Sequence, residues 1–188
     1  HFVLANDELR FDIATYDRTK TLTIDPARVW GTYYGGSGTD FGFNTVTDGN
    51  GNVYLAGAST SNTAIASGGH QNTNGGGQDA MLVKFDENGT RLWSTYYGGS
   101  GDEQGVGCAI DATGNAYLTG STSSTSGMAT GGFQNTYGGG DYDGFLVKFD
   151  PNGNRVWGTY YGGSDYDVVY SCAVDPFGSL LIAGYTKS

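Results

Sequence analysis

Short apolar runs alternate along the chain with polar stretches rich in glycine, asparagine and aspartate. Between residues 41 and 97, four such runs predict strands at about 41–47, 53–59, 80–85 and 91–97. The third run is apolar at 81–83 without alternation, which is typical of a strand buried on both faces. The pattern therefore predicts an all-β chain whose sheets stack on one another.

The links within the predicted strand pairs share an aspartate that is followed three residues later by glycine. The carboxylate can accept backbone N–H groups of a turn, and glycine adopts the positive φ that such a turn requires. We therefore expect antiparallel hairpins at each of these links. The turn aspartates are Asp48, Asp86, Asp111, Asp150 and Asp175.

The whole pattern repeats. The block Trp-x-Thr-Tyr-Tyr-Gly-Gly-Ser begins at Trp30, Trp93 and Trp157, which gives a repeat of about 63 residues. Four short antiparallel strands per repeat are typical of a β-propeller blade. A calcium-binding β-roll is the main alternative, because residues 35–40 resemble its glycine-rich nonapeptide, but a roll needs that motif in tandem and not once per repeat.

Three blocks in this order resemble the bacterial SBBP β-propeller repeats: the tryptophan block, Asp-x-x-Gly-Asn-x-Tyr-Leu-x-Gly at 111–120, and Gly-Gly-x-x-Asp-x-Phe-Leu-Val-Lys-Phe-Asp at 139–150. The resemblance covers about residues 30–188. Residues 22–26 resemble the end of the region that often precedes such repeats. The resemblance implies a propeller outside the cell or at its surface, and it implies no reaction.

The repeat divides the chain into an N-terminal β segment, 1–29, and propeller repeats, 30–188. The repeats comprise the outermost strand of one blade at 30–35, two full blades at about 41–98 and 104–162, and a half blade at about 168–185. A closed propeller has roughly 4 to 8 blades. We therefore expect a partial propeller and a chain that is a fragment of a longer protein.

Composition and net charge disfavour several classes of protein and of partner. Of 188 residues 34 are glycine, which disfavours a helical protein, and the 14% of aromatic residues disfavours a disordered one. The net charge of −10, without a basic stripe, argues against nucleic acid as a partner. No apolar run approaches the roughly 20 residues of a membrane-spanning helix, so we expect no transmembrane segment.

Propeller topology places the long loops at about 60–78 and 122–142 on one rim, together with the connectors between blades. His70 interrupts the repeat there, because Phe133 occupies its place in the next copy. Acidic loops can bind calcium. Because the acids recur at equivalent places in successive repeats, however, the preferred interpretation is that they accept hydrogen bonds from loop N–H groups. Candidate ligand-binding residues are His70, Asp79, Asp141 and Asp143, and the calcium alternative rests on Asp40, Asp102, Glu103, Asp165 and Asp167.

The cysteines and the tyrosine pairs also have competing interpretations. Cys108 and Cys172 occupy equivalent places in successive repeats, where we expect buried thiols and not a disulfide. The tyrosine pairs could form a ladder for stacking sugars, but a repeating packing layer is the preferred interpretation. These pairs are Tyr33 and Tyr34, Tyr96 and Tyr97, and Tyr160 and Tyr161.

The sequence favours a non-enzymatic β-propeller module, secreted or at a bacterial cell surface, whose long-loop rim binds a protein or a glycan in adhesion. The alternative is a purely structural repeat that spaces or assembles domains or subunits of a large secreted protein. A carbohydrate-active enzyme module is the third hypothesis, because paired carboxylates could serve a glycosidase. No cofactor is predicted apart from the calcium alternative. Partners would be a surface protein or glycan, or other parts of the same assembly.

Overall fold

The computed structural model describes residues 2–5, 8–11 and 30–188, and all regular elements among them are strands. No helix long and apolar enough to cross a membrane occurs among these residues. The predicted all-β class is confirmed. The strands are β1 Phe2–Ala5, β2 Glu8–Phe11, β3 Asp40–Thr47, β4 Val53–Ser59, β5 Asp79–Phe85, β6 Arg91–Tyr97, β7 Glu103–Ile110, β8 Ala116–Thr122, β9 Asp143–Phe149, β10 Arg155–Tyr161, β11 Asp167–Val174 and β12 Leu180–Thr186.

The strands form antiparallel sheets in which sequence neighbours pair. Strands β3 to β6 form one four-stranded sheet, β7 to β10 form a second, and β11 pairs with β12 alone. We call these the first blade, the second blade and the half blade. Strand β7 packs against β3, β4 and β5, and β11 packs against β7, β8 and β9. Stacking of this kind, with open sheets at its ends, is that of a partial propeller, as predicted.

Two expectations concern the chain before the first blade. The predicted segment 1–29 lies outside the described residues, apart from the hairpin of β1 with β2. Residues 30–35 were expected to form an outer strand, but they form no strand in the structure. A strand needs a hydrogen-bonded neighbour, and no described strand lies beside this stretch to provide one. Trp30 and Tyr34 instead pack on Phe85, with ring centroids 5.8 and 5.6 Å away.

The core lies between the blades and is rich in aromatic side chains. Tyr97 is buried with its ring edge-on to Phe149 at 5.9 Å and tilted against Phe145 at 5.3 Å, so the outer strand of the first blade packs on β9 of the second. Tyr96 and Tyr160 are buried within their own blades. The packing interpretation is confirmed for these three tyrosines.

Tryptophan also joins neighbouring blades. Trp93, on β6, is 5% exposed, and its indole N–H donates to the carbonyl of Pro151 at 2.9 Å in the β9–β10 turn. Its ring lies over Gly153 of that turn, where a Cβ would come within 2.8 Å of the ring. Trp30 lies over Gly89 in the same way. The turn glycine of one blade is therefore the surface on which the tryptophan of the preceding blade rests.

The inner strand of each blade contains a bulge. The register of β7 with β8 shifts between Gly105 and Gly107, and the displaced backbone points the carbonyl of Gln104 at Gly120. A Cβ on Gly120 would overlap that carbonyl oxygen. The other two inner strands have the same shift opposite a glycine. The glycines that face a bulge are Gly57, Gly120 and Gly184.

The predicted Asp-x-x-Gly turns are confirmed. Asp111 Oδ1 accepts the backbone N–H groups of Thr113 at 2.9 Å and Asn115 at 3.0 Å, and Gly114 has a φ of 83°. Although partial burial opposes the shift, the hydrogen bonds from Asn115 and Thr113 hold the pKa of Asp111 below its usual range. Lys148 adds an ion pair to the same carboxylate at 3.5 Å. The turns are thus pinned by charged acceptors.

Replacing Asp111 by alanine is expected to lower the free energy of unfolding by about 1 to 2 kcal/mol at pH 7, because several charge-assisted hydrogen bonds are lost together. Since the folded pKa is depressed, the stabilisation is present above the unfolded pKa and is lost as the pH falls through the folded pKa. Urea unfolding at pH 7 and pH 2.5 would measure the difference. Glu87→Ala, an exposed acid in another turn, is the control. An equal loss at both pH values would contradict the charge assignment.

Both cysteines are free and buried, as expected. Cys108 lies on β7 and Cys172 on β11. Burial raises the pKa of Cys108 to about 12 and that of Cys172 to about 11. These thiols are therefore uncharged packing groups at neutral pH.

Candidate functional site

The long loops of the two blades and the connectors between blades meet at one edge of the array, which we call the loop rim. It comprises the loops 60–78 and 123–142 and the connectors 98–102 and 162–166. Antiparallel order explains the grouping, since β4 ends where β5 begins and β6 ends where β7 begins. All sequence-derived candidates lie on this rim or at the strand ends beside it.

Each long loop is fastened to the outer strand of its own blade by the same hydrogen bonds. Gln71 donates its backbone N–H to Thr95 Oγ1 at 2.8 Å and accepts the N–H of Tyr96 at 2.9 Å. Its side-chain oxygen accepts the N–H of Gly98 at 3.2 Å. In the second blade Gln134 makes the matching three bonds at 2.8, 2.9 and 3.2 Å. The frame of the loop is therefore the same in both blades.

The residue before this glutamine differs between the blades. His70 in the first loop lies against Phe149 of the second blade, with 6.4 Å between ring centroids, and burial followed by the charge of Arg155 lowers its pKa. The ring is thus neutral at pH 7. Phe133 takes its place in the second loop and is 90% exposed. Phe133 was not among the candidates predicted from the sequence. The signal that could have identified it is the change from histidine to phenylalanine at this position between successive repeats.

The acids that open the inner strands bind the connectors. Glu103 accepts the N–H of Gly99 at 2.9 Å and the hydroxyl of Thr122 at 2.6 Å. Such bonds fasten the end of one blade to the first two strands of the next. The structural interpretation of these acids predicts hydrogen bonds of this kind. The equivalents are Asp40, which accepts from Gly36, Ser59 and Ser61, and Asp167, which accepts from Gly163 and Ser188.

Asp79 and Asp143 are the first residues of the third strand of their blades, and both are fully buried. Asp79 Oδ2 accepts the N–H of Gly75 at 2.9 Å and the side chain of Gln71 at 2.8 Å, and Asp143 Oδ2 accepts the N–H of Gly138 at 2.6 Å. Both side chains are 0% exposed. In each, Oδ1 is buried without a hydrogen-bond partner. Burial, more than any other influence, raises the pKa of Asp79 to about 6.

The structure pairs these deep acids with the acids of the following blade. A Cβ placed on Gly98 would overlap both the Asp79 carboxyl group and Oε2 of Glu103. A Cβ placed on Gly162 would lie 2.7 Å from Asp143 Oδ1 and 2.8 Å from Asp167 Oδ2. The sequence placed these acids on one rim but gave no distance between them, because the pairs form across the boundary between two sheets.

The remaining acids lie apart from these pairs. Asp102 accepts the N–H of Gln78 at 2.9 Å, and Asp165 forms an exposed ion pair with Lys187 at 3.4 Å. Asp141 is exposed. Within the described part of the chain, no three or more acidic, histidine or cysteine side chains come together as metal ligands would. The calcium candidates are therefore distributed over separate connectors.

A groove of about 450 Å³ lies between the second blade and the half blade. Phe133, Gln134 and Tyr161 line one side of it, and Asp167 and Tyr185 line the other. Tyr161 and Tyr185 are 53% and 50% exposed, so the groove presents aromatic faces beside polar groups. The equivalent tyrosine of the first blade, Tyr97, is covered by Phe145 and Phe149 on the third strand of the following blade, and the half blade has no such strand beside Tyr161.

Comparison with known proteins gives one family. The family model of the SBBP β-propeller repeat matches residues 92–127 and 156–188. A search of curated proteins gives no match to the chain. Each matched stretch runs from the outer strand of one blade through the first two strands of the next. The first stretch therefore includes Gly98 and Glu103, and the second includes Gly162 and Asp167, which lie where the two blades meet. The chain therefore matches the SBBP β-propeller repeat at these two places, and its four-stranded antiparallel sheets have the architecture of propeller blades.

Proposed function

We propose that the chain is a non-catalytic β-propeller module, secreted or held at a bacterial cell surface, that binds a protein or a glycan through the loop rim in adhesion. One observation carries this function. The same hydrogen-bonded loop frame presents His70 in one blade and Phe133 in the next. An exchangeable residue on a fixed frame is the usual design of a binding loop.

The hydrogen bonds that fasten each long loop to its blade reduce the conformational entropy that the loop would lose on binding a ligand. A loop that is already fastened to its blade loses little conformational entropy when a ligand arrives. An exposed aromatic ring supplies contact area without many rotatable bonds, which is why such rings often dominate binding energies.

The rim acids support a role without catalysis. Glu103 and Asp167 accept equivalent backbone and hydroxyl donors at successive junctions. General acid–base catalysis uses carboxyl groups that reach a substrate, and an active site is usually a departure from a repeat. The departure at Phe133 concerns an aromatic ring, which binds and does not transfer protons. The proposed binding needs no cofactor.

Location and partners follow from surface chemistry and from the family. A net charge of −10 keeps the module apart from nucleic acid and from anionic surfaces. Neutral glycans and protein surfaces remain suitable partners. We place the module outside the cell because the repeats resemble those of large secreted proteins, where such a partner would be met.

Replacing Phe133 by alanine is expected to weaken ligand binding about tenfold or more, because an aromatic anchor is removed from a fixed loop. Affinity electrophoresis with soluble xylan, β-glucan and hyaluronan would test glycans, and surface plasmon resonance with immobilised collagen and fibronectin would test proteins. Phe177→Ala is the matched control, since Phe177 is 94% exposed in the β11–β12 turn at the opposite edge. Equal binding by the wild type and Phe133→Ala would contradict the assignment.

A purely structural repeat is the second candidate. It is favoured by the tryptophan-on-glycine contact, which recurs between Trp30 and Gly89 and between Trp93 and Gly153. A spacer needs such regular junctions and no ligand. Saturable binding that Phe133→Ala removes would exclude this role, whereas absence of binding to every probe would favour it.

A further inference from the structure

Two buried acid pairs lie at the junctions between blades. Asp79 faces Glu103 at the first junction, and Asp143 faces Asp167 at the second. None of the four side chains is more than 2% exposed. Two charged carboxylates buried side by side repel each other strongly, because little water screens them. One positive charge between the two acids would therefore stabilise each junction.

The hydrogen bonds show where that charge belongs. Both oxygens of Glu103 have donors, from Gly99 and Thr122, and Asp79 Oδ2 has donors from Gly75 and Gln71. Only Asp79 Oδ1 is without one. This oxygen and Oε2 of Glu103 flank the space that Gly98 leaves empty, which places them within about 5 Å, close enough for the charge of Glu103 to raise the pKa of Asp79. The second junction repeats this arrangement with Asp143 Oδ1 and Asp167 Oδ2 around Gly162.

We propose that each junction holds one proton, bound to Oδ1 of Asp79 or Asp143 and shared with the acid of the following blade, so that the blades are joined by a pH-sensitive contact. The proton comes from solvent and returns to it when the pair titrates. No other bond forms or breaks. The proton gives the unpaired Oδ1 a hydrogen bond and leaves the pair with a single negative charge. This contact is independent of any ligand on the loop rim.

The surrounding donors favour a proton over a metal ion. Calcium requires six to eight oxygen ligands. Each pair offers one free carboxylate oxygen, and N–H and hydroxyl groups already point their positive ends at the others. A proton needs one acceptor on each side, which each pair provides.

The charges that face each pair agree with this assignment. Burial first, then Glu103, raises the pKa of Asp79 to about 6 against the lowering effect of the Gly75 N–H. Burial and Asp167 raise the pKa of Asp143. Hydrogen bonds keep the pKa of Asp167 below its usual range although burial opposes this, so Asp167 is the ionised partner. The tyrosines near the pairs have raised pKa values and stay neutral in this range, and the further acid nearby is Asp40. These tyrosines are Tyr96, Tyr97, Tyr137, Tyr142 and Tyr160.

Proton linkage determines whether the free energy of unfolding rises or falls with pH. The pKa of Asp79 is higher in the folded chain than in the unfolded one, so its stabilisation is complete below the unfolded pKa of about 4 and is lost as the pH rises through about 6. For this pair the unfolding equilibrium constant should rise on the order of 100-fold across that window. The turn aspartates act in the opposite direction and at lower pH.

The test compares urea unfolding of the wild type, Asp79→Asn and Asp141→Asn between pH 4.5 and 8. Asparagine keeps the shape of the neutral acid and supplies an N–H where the proton would be. Asp79→Asn is expected to match the wild type at pH 4.5 and to lose most of the pH dependence, making it about tenfold or more harder to unfold at pH 8. Asp141→Asn removes an exposed charge and should retain the wild-type profile.

A measurement on the wild type keeps the test independent of how the variants fold. The carboxyl ¹³C chemical shift of Asp79 should titrate with a midpoint near pH 6, and that of Asp143 should titrate above the ordinary range of an aspartate. Midpoints near 4 for both buried acids would overturn the shared proton. So would a rise in stability with calcium chloride at pH 7.5 that Asp79→Asn abolishes, because a metal ion would then occupy the pair.

Discussion

Replacing Trp93 by alanine is expected to lower the free energy of unfolding by about 3 to 5 kcal/mol, the range for removing a large buried aromatic side chain. Trp93 is 5% exposed, packs edge-on to Tyr54, and donates its indole N–H to Pro151 of the next blade. The variant therefore loses packing in one blade and a hydrogen bond to another. Urea unfolding monitored by far-UV circular dichroism would measure the change.

Leu92→Ala is the control for this substitution, because Leu92 is the preceding residue on the same strand and is 51% exposed. It should change the free energy of unfolding by less than about 0.5 kcal/mol. A loss at Trp93 no greater than that at Leu92 would show that the blades do not depend on this contact.

Replacing Gly120 by alanine is expected to lower the free energy of unfolding by about 3 kcal/mol, at the upper end of the range for overpacking. The new Cβ would overlap the carbonyl oxygen of Gln104 and would come within 2.9 Å of the Phe145 ring. The carbonyl belongs to the bulge of β7, so relief would require the bulge to be remodelled. Thermal unfolding by calorimetry would detect the loss as a lower midpoint.

Gly49→Ala separates this overlap from the general effect of adding a methyl group. No atom lies within 4 Å of a Cβ built on Gly49, and its φ is outside the positive region. This variant should be neutral or slightly stabilising, because alanine reduces the freedom of the unfolded chain. Similar midpoints for the two variants would contradict the role assigned to Gly120.

Much of the fold could be predicted because the signals are local and repeated. The Asp-x-x-Gly turns specify their own hydrogen bonds, as the bonds of Asp111 to Thr113 and Asn115 show. Runs such as 81–83 identify buried strands without information from elsewhere in the chain. Residues 30–35 were assigned a strand from the repeat alone, and the structure differs because strand formation depends on a neighbour that sequence periodicity does not provide.

The candidate site was less predictable because it depends on contacts between sheets. The sequence placed Asp79 and Glu103 on one rim, but their pairing depends on how two blades stack and on the space left by Gly98. Phe133 was visible only as the counterpart of His70. Whether such a side chain is covered depends on the third strand of the following blade, which places Phe149 against His70 and has no counterpart in the half blade beside Phe133.

The phase of the family repeat has a consequence for how such proteins grow. The matched stretches 92–127 and 156–188 begin in an outer strand and end after the second strand of the following blade. A tandem duplication in this phase keeps each connector together with the acid that opens the following blade, Glu103 or Asp167, and places the boundary of the duplicated unit within a blade. Strand β8 is joined to β9 by the long loop 123–142, so a duplicated unit can complete the divided blade and pack against its neighbours as the existing blades do. The number of blades can therefore change by whole units without a new interface having to evolve.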